Sequence, residues 1–312
     1  MINKKRFFRG LSIAMVALMI TGAGLLAGCT IKETSKNIED KEAIQEELQN
    51  KIMSDFDALL EGSPKADAVI KFIDENISKI SKEDASTMLF KLEDIQKKEL
   101  PKLEEKYYAE AIQLEMQKLY MTDFDLNKLD ETQNKELQDI LKETRDMGYK
   151  VETAEGMFFP VMNYEFYKKY SAYVTVDIKE YIELMAVESN VTPIKDAALM
   201  IGWDEITKRA LSQEKFIKDY ASSSKVDAIK ELQKRYITFI LFGSNNTPLF
   251  SYDTKVMMTE AQTIFSKDIK DNKDSELMQM LGKYMNILKK TDYKFSEEAE
   301  KFRNDVMENN TL

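Results

Sequence analysis

The sequence predicts an all-α fold: a multi-helix bundle in two halves, with one short β-hairpin near residues 149–161. Three observations predict it. Gly and Pro are scarce, 10 and 5 in 312 residues, while Lys, Glu, Leu, Ile and Met are plentiful, a mixture that favours helix by intrinsic propensity. Apolar residues recur every third or fourth position along most of the chain. That period gives way around Tyr149 to an alternation of two.

The first segment is of a different kind. Lys4, Lys5, Arg6 and Arg9 precede an apolar run from Leu11 to Ala23, and small residues lead to Leu26-Ala27-Gly28-Cys29. A basic start, a short apolar middle and a small-residue exit make a secretory signal. The middle falls short of the about 20 apolar residues that span a bilayer. Leu26-Ala27-Gly28-Cys29 resembles the lipobox of bacterial lipoproteins. That resemblance implies cleavage before Cys29, a diacylglyceryl anchor on its sulfur, and placement on the extracytoplasmic face of a cell membrane. Residues 1–28 are then the signal peptide and residues 29–36, polar and without apolar period, a lipidated tether.

From Asn37 the helical pattern begins, with Ile44, Leu48, Ile52, Phe56 and Leu59 on one stripe. Gly62 fits its C-terminal cap, and Ser63-Pro64 the start of the next helix, lined by Ala66, Val69, Ile73 and Ile77. Ser81 and Asp84 form a capping-box pattern before Leu89, Leu92 and Ile95. Pro101 is expected to break or kink that helix, since it cannot donate to the ladder. A fourth helix carries Tyr107, Ile112 and Leu119, and a fifth runs from about Glu131 to Met147, completing an N-terminal half over 37–147.

The C-terminal half, 148–312, opens with the hairpin: Tyr149, Val151 and Thr153, a turn at Ala154-Glu155-Gly156, then Met157-Phe158-Phe159. Tyr164, Tyr167, Tyr170, Tyr173 and Tyr181 are placed on one long helix reaching Val187. Thr192-Pro193 is read as capping a short helix through Leu199. Helices carrying Trp203, Ile206 and Ala210, then Val226, Tyr236 and Ile240, precede Gly243 and the loop Ser244-Asn245-Asn246-Thr247-Pro248. Three more helices follow, lined by Val256 and Ile264, by Leu277 and Tyr284, and by Ala299 and Phe302. The stretches around Gly148–Tyr173 and Phe242–Asp253 resemble uncharacterised lipoproteins of Gram-positive bacteria, which implies no particular activity.

Composition excludes much chemistry. There is no histidine, and the single cysteine is Cys29. His-dependent triads, Cys–His dyads, thiolate or imidazole metal sites and disulfides are therefore ruled out, and no cofactor is expected. A net charge of −10, more negative once the basic signal is removed, argues against general affinity for nucleic acid. Asp123, Asp125, Asn127 and Glu131 begin like a calcium loop, but Lys128 and Asn134 occupy positions that require Gly and Glu. Ser212–Lys215 and Ser222–Lys225 match Ser-x-x-Lys without the companion motifs of penicillin-recognising enzymes.

Two candidate sites remain. The loop Phe242–Asp253 sets Ser244, Asn245, Asn246 and Thr247 among Phe250 and Tyr252, small polar groups beside aromatics that suit a neutral polar ligand. Its plainer reading is a helix cap and turn. Tyr164, Tyr167, Tyr170 and Tyr173 could form an aromatic face for a sugar ring or partner, or fill the core. The expected function is a non-enzymatic, membrane-tethered binding or adaptor protein of the cell envelope, partnered by an envelope protein or cell-wall ligand. The alternative is a glycan-binding module or carboxylate-dependent glycan hydrolase. A solute-binding lipoprotein would need βαβ alternation, and an extracellular DNA binder would oppose the net charge.

Overall fold

The computed structural model describes residues 30–120, 125–126 and 132–308, with side chains from residue 41 onward. The lipobox Leu26–Cys29, the signal peptide and most of the acidic loop 123–131 lie outside the described residues. The described residues from 48 onward form one compact unit.

The fold is all-α with small two-stranded sheets, as predicted. Helix α1 (Thr30–Glu61) starts at Thr30, taking in most of the segment expected to be a tether. Of its predicted stripe, Ile52 and Phe56 are buried, whereas Ile44 and Leu48 stay exposed. At its end the left-handed residue is Ser63, with φ 50°, not Gly62. Helix α2 (Ala66–Asn76) buries Ala66, Val69, Ile70 and Ile73, spaced on one face. Neither Ser63 nor Pro64 caps it; Glu99 accepts from the Ala66 N–H at 2.9 Å instead.

Helix α3 (Lys82–Tyr107) is the central strut. Ser81 caps it as predicted, its Oγ accepting from the Asp84 N–H at 3.1 Å. The helix continues through Pro101, and the break expected there falls at Tyr108. Helices α4 (Glu110–Tyr120) and α5 (Lys135–Asp146) follow, the latter capped by Asn134, whose Oδ1 accepts from the Leu137 N–H at 3.1 Å.

The predicted hairpin is present. Strands β1 (Tyr149–Ala154) and β2 (Met157–Met162) pair antiparallel, joined by Glu155-Gly156 at φ 50° and 76°, the two left-handed residues of a type I′ turn. Tyr149 and Phe158 are buried on one face of this hairpin, which packs on α3 and α4.

Three predicted elements differ. Tyr164–Tyr170 is a 3-10 helix, not the start of a long α-helix; α6 begins at Val176 and ends at Asn190. Thr192–Leu199 is not helical. Strands β3 (Ile194–Lys195) and β4 (Ala198–Leu199) form a second hairpin, turned by Asp196 and Ala197 at φ 49° and 57°. After α7 (Trp203–Asp219) and α8 (Val226–Phe242), strands β5 (Gly243–Ser244) and β6 (Thr247–Pro248) make a third. Val256 precedes the next helix and bridges Lys294. Helices α9 (Thr259–Asp271), α10 (Glu276–Lys289) and α11 (Glu297–Glu308) complete the unit. Among the described residues no helix is long and apolar enough to cross a membrane.

Candidate functional site

The tyrosine series resolves at once in the 3-10 segment. With three residues per turn, positions three apart eclipse one another, so Tyr164, Tyr167 and Tyr170 share one face. That face is inward: they are 5%, 3% and 2% exposed, and only Tyr173, beyond the segment, reaches solvent. The series is core, not an aromatic platform for a ligand.

The hydroxyls of Tyr164 and Tyr167 converge on α3, while that of Tyr170 donates to Asp74 of α2 at 2.8 Å. Glu93 Oε1 accepts from Tyr164 at 2.6 Å, Tyr181 at 2.7 Å and Lys97 at 2.6 Å, and Oε2 accepts from Lys225 at 2.6 Å. One turn on, Gln96 Oε1 accepts from Tyr167, while its Nε2 donates to the Met147 carbonyl at 2.6 Å. The Lys225 ammonium also lies over Phe90, 4.4 Å from the ring centroid. Burial alone would push the Glu93 carboxyl up; Lys225, Lys97 and Tyr164 overcome it and hold the group at about 2. Burial and the Glu93 charge raise Tyr167 and Tyr181 above the ordinary phenol range. Every strong donor near Glu93 is committed. This is a structural node, and it also accounts for Lys225 of the second Ser-x-x-Lys pattern. In the first pattern, Ser212 Oγ donates to the Lys208 carbonyl and Lys215 pairs with Asp219.

The loop Phe242–Asp253 spends its polar groups on the protein itself. Ser244 Oγ and the Asn246 N–H donate to the Ala197 carbonyl at 2.8 and 2.7 Å. Asn246 Nδ2 donates to the Asp196 carbonyl at 2.6 Å, and Thr247 Oγ1 accepts from the Leu199 N–H at 3.1 Å. Tyr252 donates to the Asn245 carbonyl at 2.7 Å, and Phe250 packs on Phe295. These contacts clamp the β3–β4 and β5–β6 hairpins together. The loop supports a neighbouring wall, and its Asn245 and Tyr252 remain exposed.

That wall borders a cleft of about 560 Å³. Register brings Glu152 opposite Phe159, so the outer face of the first hairpin supplies Glu152, Ala154, Phe159 and Val161. The second hairpin supplies Ile194, Lys195 and Asp196. Met185, Glu188 and Ser189 come from α6, and Leu232, Arg235, Tyr236 and Phe239 from one face of α8. The lining is mostly apolar, with a few polar groups, as in small-molecule sites of this size.

Glu188 stands out among them. Its side chain is 12% exposed; among the described residues the Tyr236 hydroxyl donates to its oxygens at 2.6 and 2.8 Å, and the Arg209 guanidinium pairs with it at 3.6 Å. An ionised carboxylate can accept about four hydrogen bonds. Burial raises its carboxyl above the usual range; Tyr236, Arg209 and Arg235 only partly offset that. Glu93 is buried and Glu188 half-buried, and their protonation is pushed in opposite directions. The satisfied one sits in the core, and the undersupplied one opens onto a cleft.

The chain matches no known family model, curated protein or solved structure. The cleft is therefore read from its own chemistry. On its first wall, Glu152 is bonded to Lys150 at 2.8 Å and Lys195 at 2.6 Å; burial would raise its carboxyl, but the two lysines hold it below the usual range. Among the described residues no group of acidic, cysteine or histidine side chains is arranged to hold a metal ion.

Sequence reasoning missed this site. Its walls come from elements spread from Glu152 to Phe239, and Glu188 is one of 55 acidic residues. One signal was present: Met157–Met162 is apolar on both faces of its strand, which an otherwise solvent-facing hairpin does not require.

Proposed function

We propose that the protein is a membrane-tethered, extracytoplasmic lipoprotein that binds a small molecule in the cleft between the first two hairpins and helices α6 and α8. The observation that carries the binding role is Glu188, a half-buried carboxylate with few donors at a mostly apolar cleft. A cleft favours ligand capture over the flat apolar patch an adaptor would need. The lipobox motif supports the location.

Ile194 lines the cleft and is 38% exposed, so Ile194→Trp narrows the cleft without disturbing the core. Nile red, a neutral apolar dye, should bind the purified protein with a blue-shifted emission that Ile194→Trp suppresses. Binding that ignores the substitution would remove the cleft from the argument. For the location, Cys29→Ala should abolish incorporation of labelled palmitate and release the protein from membranes. Retention of label by that variant would sink the lipoprotein reading.

One observation favours a second reading. Glu152 and Glu188 line the same cleft with protonation displaced in opposite directions, the division of roles seen between base and acid in glycoside hydrolysis. Peptidoglycan cleavage by the purified protein, lost in both Glu152→Gln and Glu188→Gln, would put catalysis ahead of binding.

A further inference from the structure

We infer that the cleft takes an amine carried on an apolar body, with Glu188 accepting from its N–H groups. The inference rests on the cleft being a ligand site and names the class of ligand.

The charges around the cleft decide it. Among its charged lining, the acids Glu152, Glu188 and Asp196 outnumber the bases Lys195 and Arg235. The Glu152 wall is compensated from within, by Lys195 at 2.6 Å and by Lys150 at 2.8 Å. The α6 wall is not. Tyr236 gives Glu188 one hydroxyl, and the Arg209 guanidinium stands 3.6 Å off, held also by Glu205 at 2.9 Å and by the Val191 carbonyl at 2.9 Å. Arg235 is exposed, and its charge with that of Arg209 only partly offsets the burial of Glu188. A carboxylate that can take about four hydrogen bonds therefore keeps acceptor capacity on the cleft side. Asp196 adds a further negative charge on the exposed turn of the second hairpin. An ammonium brings several donors and a positive charge to that place, and the apolar lining, with the rings of Phe159 and Phe239, receives the body that carries it.

The competing chemistries fit less well. A carboxylate head would meet Glu188 and Asp196. An alcohol could donate to Glu188 but would leave its charge unmatched. A glycan would need outward-facing hydroxyl and amide groups, but the Ser189 hydroxyl accepts from the Tyr164 N–H at 3.2 Å and donates to the Ala186 carbonyl at 3.2 Å. Thr192 Oγ1 turns to the Ile194 carbonyl at 3.4 Å.

The test is displacement of Nile red from the purified protein by decylamine, decanol and decanoate, each below its micelle or solubility limit. Salt at about 0.15 M screens exposed charges more than about 8 Å away, so the negative charge of the whole chain does not set the order. Decylamine should displace the dye at roughly tenfold lower concentration than decanol, the size of one charge-assisted contact, with decanoate weakest. Glu188→Gln keeps the shape of the side chain and removes its charge, and it should bring decylamine level with decanol. Decanol displacement in the same variant reports that its cleft is formed. Decylamine no better than decanol or decanoate in the wild type, or a decylamine preference that survives Glu188→Gln, overturns the ligand class and leaves the cleft reading standing. Dye binding that is insensitive to Ile194→Trp overturns both.

Discussion

Replacing Glu93 with Gln tests the buried node most directly. The carboxylate is 3% exposed and serves two lysines and two tyrosines, and the Lys225 side chain that faces it is 14% exposed. Its carboxyl is held at about 2 against an ordinary 4.5. At about 1.4 kcal/mol per pKa unit, that difference corresponds to about 3 kcal/mol of stability at neutral pH. Independently, removing one partner of a buried ion pair costs about 3–5 kcal/mol, because the other charge is stranded. The two figures agree, and a loss of about 3 kcal/mol is a large share of a typical folding free energy of about 5–15 kcal/mol. Urea unfolding at pH 7 should show it as a lower midpoint with an unchanged slope. The sign of the pH effect follows from the lowered carboxyl. Its contribution is fully present above pH 4.5 and fades as pH falls toward about 2, so wild type and variant should converge over that window. A loss below about 1 kcal/mol at pH 7, or a gap that persists at pH 2, would refute the assignment of Glu93 as a fully compensated internal charge.

Glu188→Gln should behave in the opposite way. Burial raises that carboxyl, so its ionised form costs stability at neutral pH, a cost relieved as pH falls through the folded-state value. The variant should therefore unfold at an equal or higher urea midpoint at pH 7, and a lower midpoint would count against Glu188 as an undersupplied group. Tyr167→Phe removes the donor to Gln96 Oε1 inside the core and should cost about 1–3 kcal/mol, read from the same unfolding curves. Gly243→Ala places a Cβ 2.4 Å from the Thr247 carbonyl oxygen at φ 73°, whereas the same change at Gly156 meets open space at a similar φ of 76°. Gly156→Ala should cost about 1 kcal/mol from backbone strain alone, and Gly243→Ala clearly more. Equal losses would mean that the third hairpin yields freely.

The helices and first hairpin were legible because they rest on local signals. Ser81 with Asp84 marks a helix start, and Glu155-Gly156 falls in the turn between two strands, whatever the rest of the chain does. Where the reading failed, local signals were ambiguous. Tyrosines at strict intervals of three drift around an α-helix but stack on a 3-10 helix, and the backbone took the second option, burying Tyr164, Tyr167 and Tyr170 together. The Asp196-Ala197 turn has no glycine to announce it, and β3–β4 is held by bonds from Ser244, Asn246 and Thr247, nearly fifty positions away. Pro101 did not end the central helix, which runs on to Tyr107. The cleft was beyond local reasoning altogether. Glu93 and Glu188 are the same residue type on amphipathic helices, and only three-dimensional surroundings make one a satisfied core charge and the other an exposed need.

The side chain of Gln113 gives the first hairpin a property of its own. Its Oε1 accepts from the Phe158 N–H at 2.8 Å and its Nε2 donates to the Phe158 carbonyl at 2.8 Å, the pair of bonds a neighbouring strand would make. Two residues along, Pro160 offers that same edge no N–H at all. An apolar two-stranded ribbon with an open edge is a template on which another chain can polymerise. Here one helical amide and one imino acid occupy the positions where such growth would begin, so the protein can carry an apolar β-ribbon at its surface without that edge seeding aggregates.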